Sequence, residues 1–170
     1  MIVYRCHDVW DDYPEIGIHA SWADWLGFVD PPVAQGRLIE AHPTGDVTLE
    51  QLARRILKKV KPLGQEVVYT IGDLKRKVSR IALGTGAITP FRNMQNLDAD
   101  VLLLSDDGAR LYDSAQWALD SDKSLIIVNH ATSEEPGVRN LATYIQKEFQ
   151  VPVIQIPVSC LYRTIMEPIE

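Results

Sequence analysis

Cysteine is scarce in this chain of 170 residues, which contains only Cys6 and Cys160. The two lie at opposite ends of the chain without a CxxC spacing, which excludes a zinc ribbon and a disulfide framework. Long apolar runs are also missing, since none approaches the ~20 residues that cross a bilayer, and no secretory signal pattern opens the chain. These absences predict a soluble protein of the reducing cytoplasm.

Basic residues are fewer than acidic ones: the chain has 17 lysines and arginines and 23 aspartates and glutamates, for a net charge of -6. General binding of nucleic acid requires a clustered basic face, and the short basic runs at 54–61 and 75–77 fit a solvated helix face and a turn. The chain also contains no GxSxG, GxGxxG or Walker lysine. Nucleophilic catalysis and nucleotide binding are therefore not supported.

The second half of the chain alternates strands with helices. Residues 101–104 and 125–128 are wholly apolar, and amphipathic helices follow them. Continuous apolar strands between such helices indicate an α/β fold, a mixed sheet layered with helices on both faces. The predicted strands are 2–5, 37–41, 66–71, 78–83, 101–104, 125–128 and 151–158. The predicted helices are 18–27, one following Thr48 and ending before Pro62, one reaching about Leu97, 111–119 and 137–149.

Two helix ends have explicit signals. Thr48 and Gln51 have the spacing of a capping box at the start of the helix that follows. Gly27 is placed to close the helix that begins near residue 18.

The first candidate for chemistry is the turn after strand 125–128, where His130 is followed four residues later by Glu134. Sites in open α/β sheets gather at the carboxyl ends of strands, and imidazole and carboxylate groups bind zinc, iron or manganese. The alternative is a hydrogen-bonded loop histidine, with Glu134 or Glu135 complementing the next helix dipole. Taken alone, this HxxxE pattern favours that alternative.

A second candidate follows the predicted strand 2–5. One histidine and three carboxylates within six residues suit a hard or borderline divalent ion, whereas the alternative is a simple turn. Cys6 is expected to point into the core rather than to bind metal. The four residues are His7, Asp8, Asp11 and Asp12.

A third polar strand end follows residues 101–104. Asp107 could orient a metal ligand or accept a proton, although a helix cap is the alternative for at least one residue here. The remaining histidines, His19 and His42, are assigned structural or surface roles.

Taken in order, several segments resemble the Nif-three-like family, also called GTP cyclohydrolase type-two-like. The resemblance is to the C-terminal two-thirds of that family, and the departures include Asn129 where the family usually has glycine. The segments that carry it are 7–11 with 14–18, 48–59, 78–87, 100–107 and 129–142.

The resemblance implies a dinuclear centre of divalent metal ions, zinc, iron or manganese. Carried over, the metal ligands are Asp11, His130 and Glu134, with His7 close by. It also implies a homohexamer with a small-molecule substrate and a metal-dependent hydrolase activity, the alternative being a non-catalytic metal-binding or protein-interaction module. Residues 1–170 are expected to form one Nif-three-like domain that lacks the family's N-terminal His-His-Pro or His-Glu-Pro segment.

Overall fold

Six strands form one mixed sheet in the computed structural model, which describes residues 1–87 and 91–166. The strands are β1 (Ala34–Gly36), β2 (Ile39–Thr48), β3 (Tyr69–Ile71), β4 (Lys77–Leu83), β5 (Val101–Ser105) and β6 (Ser124–Val128). Their order across the sheet is β1-β2-β4-β5-β6-β3. The central strands β4, β5 and β6 run parallel, and the other neighbours are antiparallel.

Helices cover both faces of this sheet, which confirms the predicted α/β class. The helices are α1 (Asp8–Asp11), α2 (Ile18–Leu26), α3 (Leu49–Val60), α4 (Phe91–Met94), α5 (Gln116–Asp120) and α6 (His130–Phe149). Helices α2 and α3 pack on one face, and α4 and α5 on the other. Short 3-10 turns at Lys61–Leu63 and Gln95–Leu97 and a π-helical turn at Leu111–Ala115 complete the helical segments.

Strand β5 shows why a run of apolar residues marks a central strand. Val101 and Leu103 point into the core beneath α2 and α3, whereas Leu102 and Leu104 point into the opposite core. All four are at most 1% exposed. A strand between two helical layers has no solvent face, so its sequence does not alternate.

The predicted helix caps are confirmed. The Thr48 hydroxyl accepts from the Gln51 amide at 3.2 Å, and the Gln51 side chain accepts from the Thr48 amide at 2.9 Å. Gly27 ends α2 in the left-handed conformation, with φ 89°.

The two predicted terminal strands are wrong. Residues 2–5 and 151–158 form no strand, and their apolar side chains are largely exposed; Ile2 is 97% exposed and Ile156 78%. A residue's preference for strands reflects packing against neighbours, and neither segment pairs with a strand of the sheet among the residues described.

Other boundaries also differ. Strand 66–71 is reduced to β3, which pairs with β6 at the sheet edge and not with β4. Strand 37–41 begins at Ile39 and continues to Thr48. Helix 111–119 divides into the π-helical turn and α5. The helix predicted to reach Leu97 passes through residues 88–90, which lie outside the described part.

Helix α6 begins at His130, seven residues before the predicted start. Pro136 lies inside it. Pro136 is the seventh residue of the helix, so it lacks the N–H that would bond to the Thr132 carbonyl, and the helix nevertheless continues past it to Phe149. Among the described residues, no helix is long and apolar enough to cross a membrane.

Candidate metal centre

His130 is the first residue of α6 and directly follows the end of β6. Its backbone N–H donates to the Asp106 carboxylate at 2.9 Å. Its ring lies between two other carboxylates, with Nδ1 2.8 Å from Asp107 Oδ2 and Nε2 2.7 Å from Glu134 Oε1. Both ring nitrogens are thus aligned by acidic groups, and the side chain is 31% exposed.

This arrangement changes the proton affinity of the ring. Burial alone would lower the pKa of His130, but the hydrogen bond and charge of Asp107 and Glu134 outweigh it and raise the pKa above its usual value. The two carboxylates therefore favour the protonated ring.

Residues at the end of β5 lie next to the His130 ring and hydrogen-bond to one another. Ser105 Oγ lies 3.1 Å from Asp107 Oδ1 and 2.6 Å from the Gly86 carbonyl oxygen. Asp106 accepts from the Asn129 side chain at 2.8 Å. Burial would raise the Asp106 pKa, but donors including Asn129 and the His130 backbone hold it below its usual range. Polar residues from the ends of β5 and β6 thus meet at one edge of the sheet.

Gly86 follows β4 and lies beside His130 and Glu134. A Cβ there would lie 3.4 Å from Glu134 Oε1 and 3.9 Å from His130 Nε2, and the glycine has φ +80°. A side chain at this position would be strained by the backbone conformation, and its Cβ would be in ordinary contact with the pair.

A second acidic group surrounds His7. One donor atom each from His7, Asp8 and Asp11 lies within 4.8 Å of the others. Burial raises the pKa of Asp11, against the charges of His7 and His130, which lower it. Asp12 turns away and pairs with Arg37 at 2.8 Å.

The short helix α1 is held against α6, which brings Asp11 under the electrostatic influence of His130. The Trp10 indole donates to the Gly137 carbonyl at 2.9 Å, and Tyr13 lies 5.6 Å from Tyr144 between ring centroids. Next to them, a Cβ on Gly17 would clash with the Trp10 carbonyl oxygen. These contacts place the acidic group around His7 beside α6, the helix that carries His130.

The four residues expected as ligands fall into two neighbouring groups, His7 with Asp11 and His130 with Glu134. Reasoning from the residues did not choose between Glu134 and Glu135. Glu134 contacts the His130 ring, whereas Glu135 is 2% exposed and accepts from the backbone N–H of Val158 at 3.2 Å.

The structure places two further acidic residues, Asp8 and Asp107, in the candidate site. Asp8 joins His7 in the acidic group, and Asp107 contacts His130, as its position after a strand had suggested. Cys6 is exposed and does not point into the core, so that expectation is wrong. It lies in the terminal segment that forms no strand.

Fold and site together define a mixed-sheet α/β protein with histidine and carboxylate groups at the carboxyl ends of parallel strands. A model of the family Duf34/NIF3 (NGG1p interacting factor 3) matches residues 1–161. The chain belongs to this family, as the resemblance predicted. No curated protein sequence matches the chain.

Solved structures share the fold. The protein ybgI, of unknown function, has a TM-score of 0.73 at 22% identity, over 91% of this chain and 62% of its own. TTHA1606 from Thermus thermophilus has a TM-score of 0.63 at 22% identity, over 89% and 58%. Staphylococcus aureus protein SA1388 has a TM-score of 0.55 at 26% identity, over 67% and 31%. The chain spans less than two thirds of the length of these proteins.

Proposed function

We propose that this chain binds divalent metal ions and uses them in a hydrolytic reaction on a small molecule. The observation that carries the proposal is the group formed by His7, Asp8 and Asp11, whose donor atoms lie within 4.8 Å of one another. Donors that share one ion at about 2.0–2.2 Å are at most roughly 4.4 Å apart. Small side-chain rotations would therefore suffice to bind an ion.

His130 and Glu134 supply the second half of the proposed dinuclear centre. The Asp107 carboxylate at Nδ1 is suited to fix the orientation of the ring, which leaves Nε2 and the Glu134 carboxylate for metal. Asp11 would hold metal together with His7, and its carboxyl lies within the electrostatic range of His130.

The donor set limits the choice of metal. Imidazole and carboxylate groups without a thiolate suit zinc, iron or manganese. When bound, such an ion acidifies a water molecule and provides a nucleophile for hydrolysis. The cytoplasm is the proposed compartment because both cysteines are free thiols, and the net charge of -6 gives no reason to expect general nucleic-acid binding.

Two neighbouring glutamates provide a matched test. Glu134→Gln removes a proposed ligand and is expected to weaken Zn²⁺ binding at least about tenfold, with the thermal midpoint of unfolding nearly unchanged. Glu135→Gln is expected to lower the free energy of unfolding by about 1–3 kcal/mol, because its buried carboxylate serves several donors. Zn²⁺ binding per folded molecule should then stay at the wild-type level.

Calorimetric titration with Zn²⁺ and thermal unfolding of both variants would measure these effects. Unchanged Zn²⁺ affinity in Glu134→Gln would remove Glu134 from the ligand set. Equal loss of binding in both variants would point to a general disturbance of α6.

The second candidate function is assembly, as a protein-interaction module that forms a homo-oligomer, a hexamer by resemblance. The terminal segments favour it because they expose apolar side chains; Tyr4 is 85% exposed, Ile154 88% and Ile165 96%. Apolar surface of this extent marks interaction sites in soluble proteins.

Light scattering over a range of concentrations would test assembly. The wild-type chain is expected to exceed its monomer mass of 19.1 kDa, up to sixfold. Ile156→Asp should shift the population toward monomer, because it places a charge in a contact surface. Leu119→Asp is the control, since Leu119 is 63% exposed on α5. A wild-type monomer at every concentration would refute the assembly.

A further inference from the structure

A polar cavity of about 270 Å³ lies beside α1, between the loop that follows it, helix α2 and the β1–β2 hairpin. Its wall includes Asp11, which also belongs to the acidic group around His7, so the cavity adjoins the candidate metal centre. The other charged or titratable residues of the wall are Asp12, Tyr13, Glu15, His19, Arg37 and Glu40.

Glu40 is a buried carboxylate without a hydrogen-bond donor in this wall. Its side chain is only 9% exposed. His42, two residues further along β2, places Nε2 3.1 Å from Glu40 Oε1, yet that nitrogen makes no hydrogen bond. The two side chains are therefore close without a hydrogen bond between them, and they would form an ion pair only with a protonated ring. Within residues 1–87 and 91–166, no side chain or backbone group donates to the Glu40 carboxylate.

His19 faces the same cavity from helix α2. Both of its ring nitrogens are closed to solvent and have no partner among the described residues. Burial lowers the pKa of His19, helped by His42 and opposed by Glu40 and Asp12. A neutral ring has one nitrogen with a free lone pair that can accept a hydrogen bond.

Buried polar groups without partners are rare in folded proteins and call for an explanation. Leaving a buried acceptor unsatisfied costs free energy, and more so when it is charged. His19 is such a group, because both of its ring nitrogens are closed to solvent, and the Glu40 carboxylate in the same cavity wall accepts no hydrogen bond from the described residues.

The charges around the cavity select the ligand. Four carboxylates line it, and its single guanidinium, Arg37, is already paired with Asp12. Phosphate or carboxylate ligands would be repelled, whereas a cation that carries N–H donors would be attracted.

We propose that this cavity binds a small organic ammonium ion, with Glu40 as its counter-ion and His19 as a second acceptor. The ammonium supplies the donors that both residues lack. The site is separate from the metal ligands, apart from the shared wall at Asp11, and does not depend on metal binding.

Titration of the full chain with n-butylammonium chloride, followed by calorimetry and by NMR of the His19 ring protons, tests the proposal. Saturable binding is expected for n-butylammonium and not for n-butanol or butyrate, which match it in length. Glu40→Gln should weaken this binding by about tenfold or more, since a charged hydrogen bond is lost while the volume is kept. Glu50→Gln, on the exposed face of α3, should leave it unchanged.

His19→Phe provides a second variant that removes the other acceptor, and it should weaken binding severalfold even if Glu40→Gln folds poorly. Lack of saturable binding to the wild-type chain would overturn the proposal, as would equal affinity in Glu40→Gln. Loss of Zn²⁺ binding in Glu40→Gln would assign the cavity to a metal ion instead and overturn it as well. Butylammonium binding should persist in His130→Ala, so this site and the metal centre can fail separately.

Discussion

Replacing His130 by alanine is expected to abolish Zn²⁺ binding to its half of the centre. The imidazole is aligned by carboxylates at both nitrogens, and its removal leaves Glu134 without a neighbouring nitrogen donor. Loss of an imidazole ligand from a site of few protein donors should reduce affinity by at least about 100-fold, as loss of even the orienting partners costs roughly 10–100-fold. Calorimetric titration should show fewer Zn²⁺ ions bound per chain.

His19→Ala is the matched control, because it removes an imidazole that contacts none of the proposed ligands. It should retain the wild-type number of bound Zn²⁺ ions. If His130→Ala binds Zn²⁺ with wild-type stoichiometry and affinity, His130 is not a ligand and the second half of the proposed centre is wrong.

Gly137→Ala is expected to destabilise the protein although alanine favours helices. A Cβ at Gly137 would lie 2.6 Å from Ile18 Cα and 2.7 Å from Ile18 Cδ1, so α2 and α6 would have to separate. Such overpacking costs about 1–3 kcal/mol, and the helix preference of alanine returns at most about 1 kcal/mol. The Gly137 carbonyl also accepts from Trp10, so Asp11 should move relative to His130 and Zn²⁺ affinity should fall.

Denaturant unfolding and Zn²⁺ titration would measure both effects. Thr143→Ala, on the same helix, is the control, because it removes only a hydroxyl bonded to the Arg139 carbonyl. Equal or greater stability of Gly137→Ala would show that the close contact of α2 with α6 does not constrain the structure.

The parts of the fold that the sequence predicts correctly are those whose causes lie within a few residues. The capping box at Thr48 depends on the side chain of Gln51, three residues away. Strands β5 and β6 are apolar because both faces of the sheet are covered, and this shows in a window of about five residues.

Elements that depend on distant partners are not predictable in this way. Residues 2–5 and 151–158 have strand-forming sequences but pair with no strand among the described residues. β3 pairs with β6, more than fifty residues further along the chain, and not with the strand that follows it. Pairing of this kind depends on the whole topology and leaves no local mark.

The candidate site also combines features that depend on nearby residues with contacts between residues far apart in sequence. The sequence indicated that His130 and Glu134 can lie on one side of a turn. They lie one helical turn apart on α6 because the helix begins at His130, which the sequence did not predict. The choice between Glu134 and Glu135 required burial, because Glu135 is enclosed by residues of α6 and of the C-terminal segment. The approach of α1 to α6, through Trp10 and Gly137, spans 127 residues of sequence.

The central claim is that the acidic groups around His7 and His130 hold divalent metal. Its most direct test is elemental analysis of the wild-type protein purified without added metal, followed by titration of metal-free protein with zinc, iron(II) and manganese. We expect at least one of these metals to co-purify, or to bind at micromolar concentration in stoichiometric amount. If none co-purifies and none binds at micromolar concentration, the proposed metal centre is refuted.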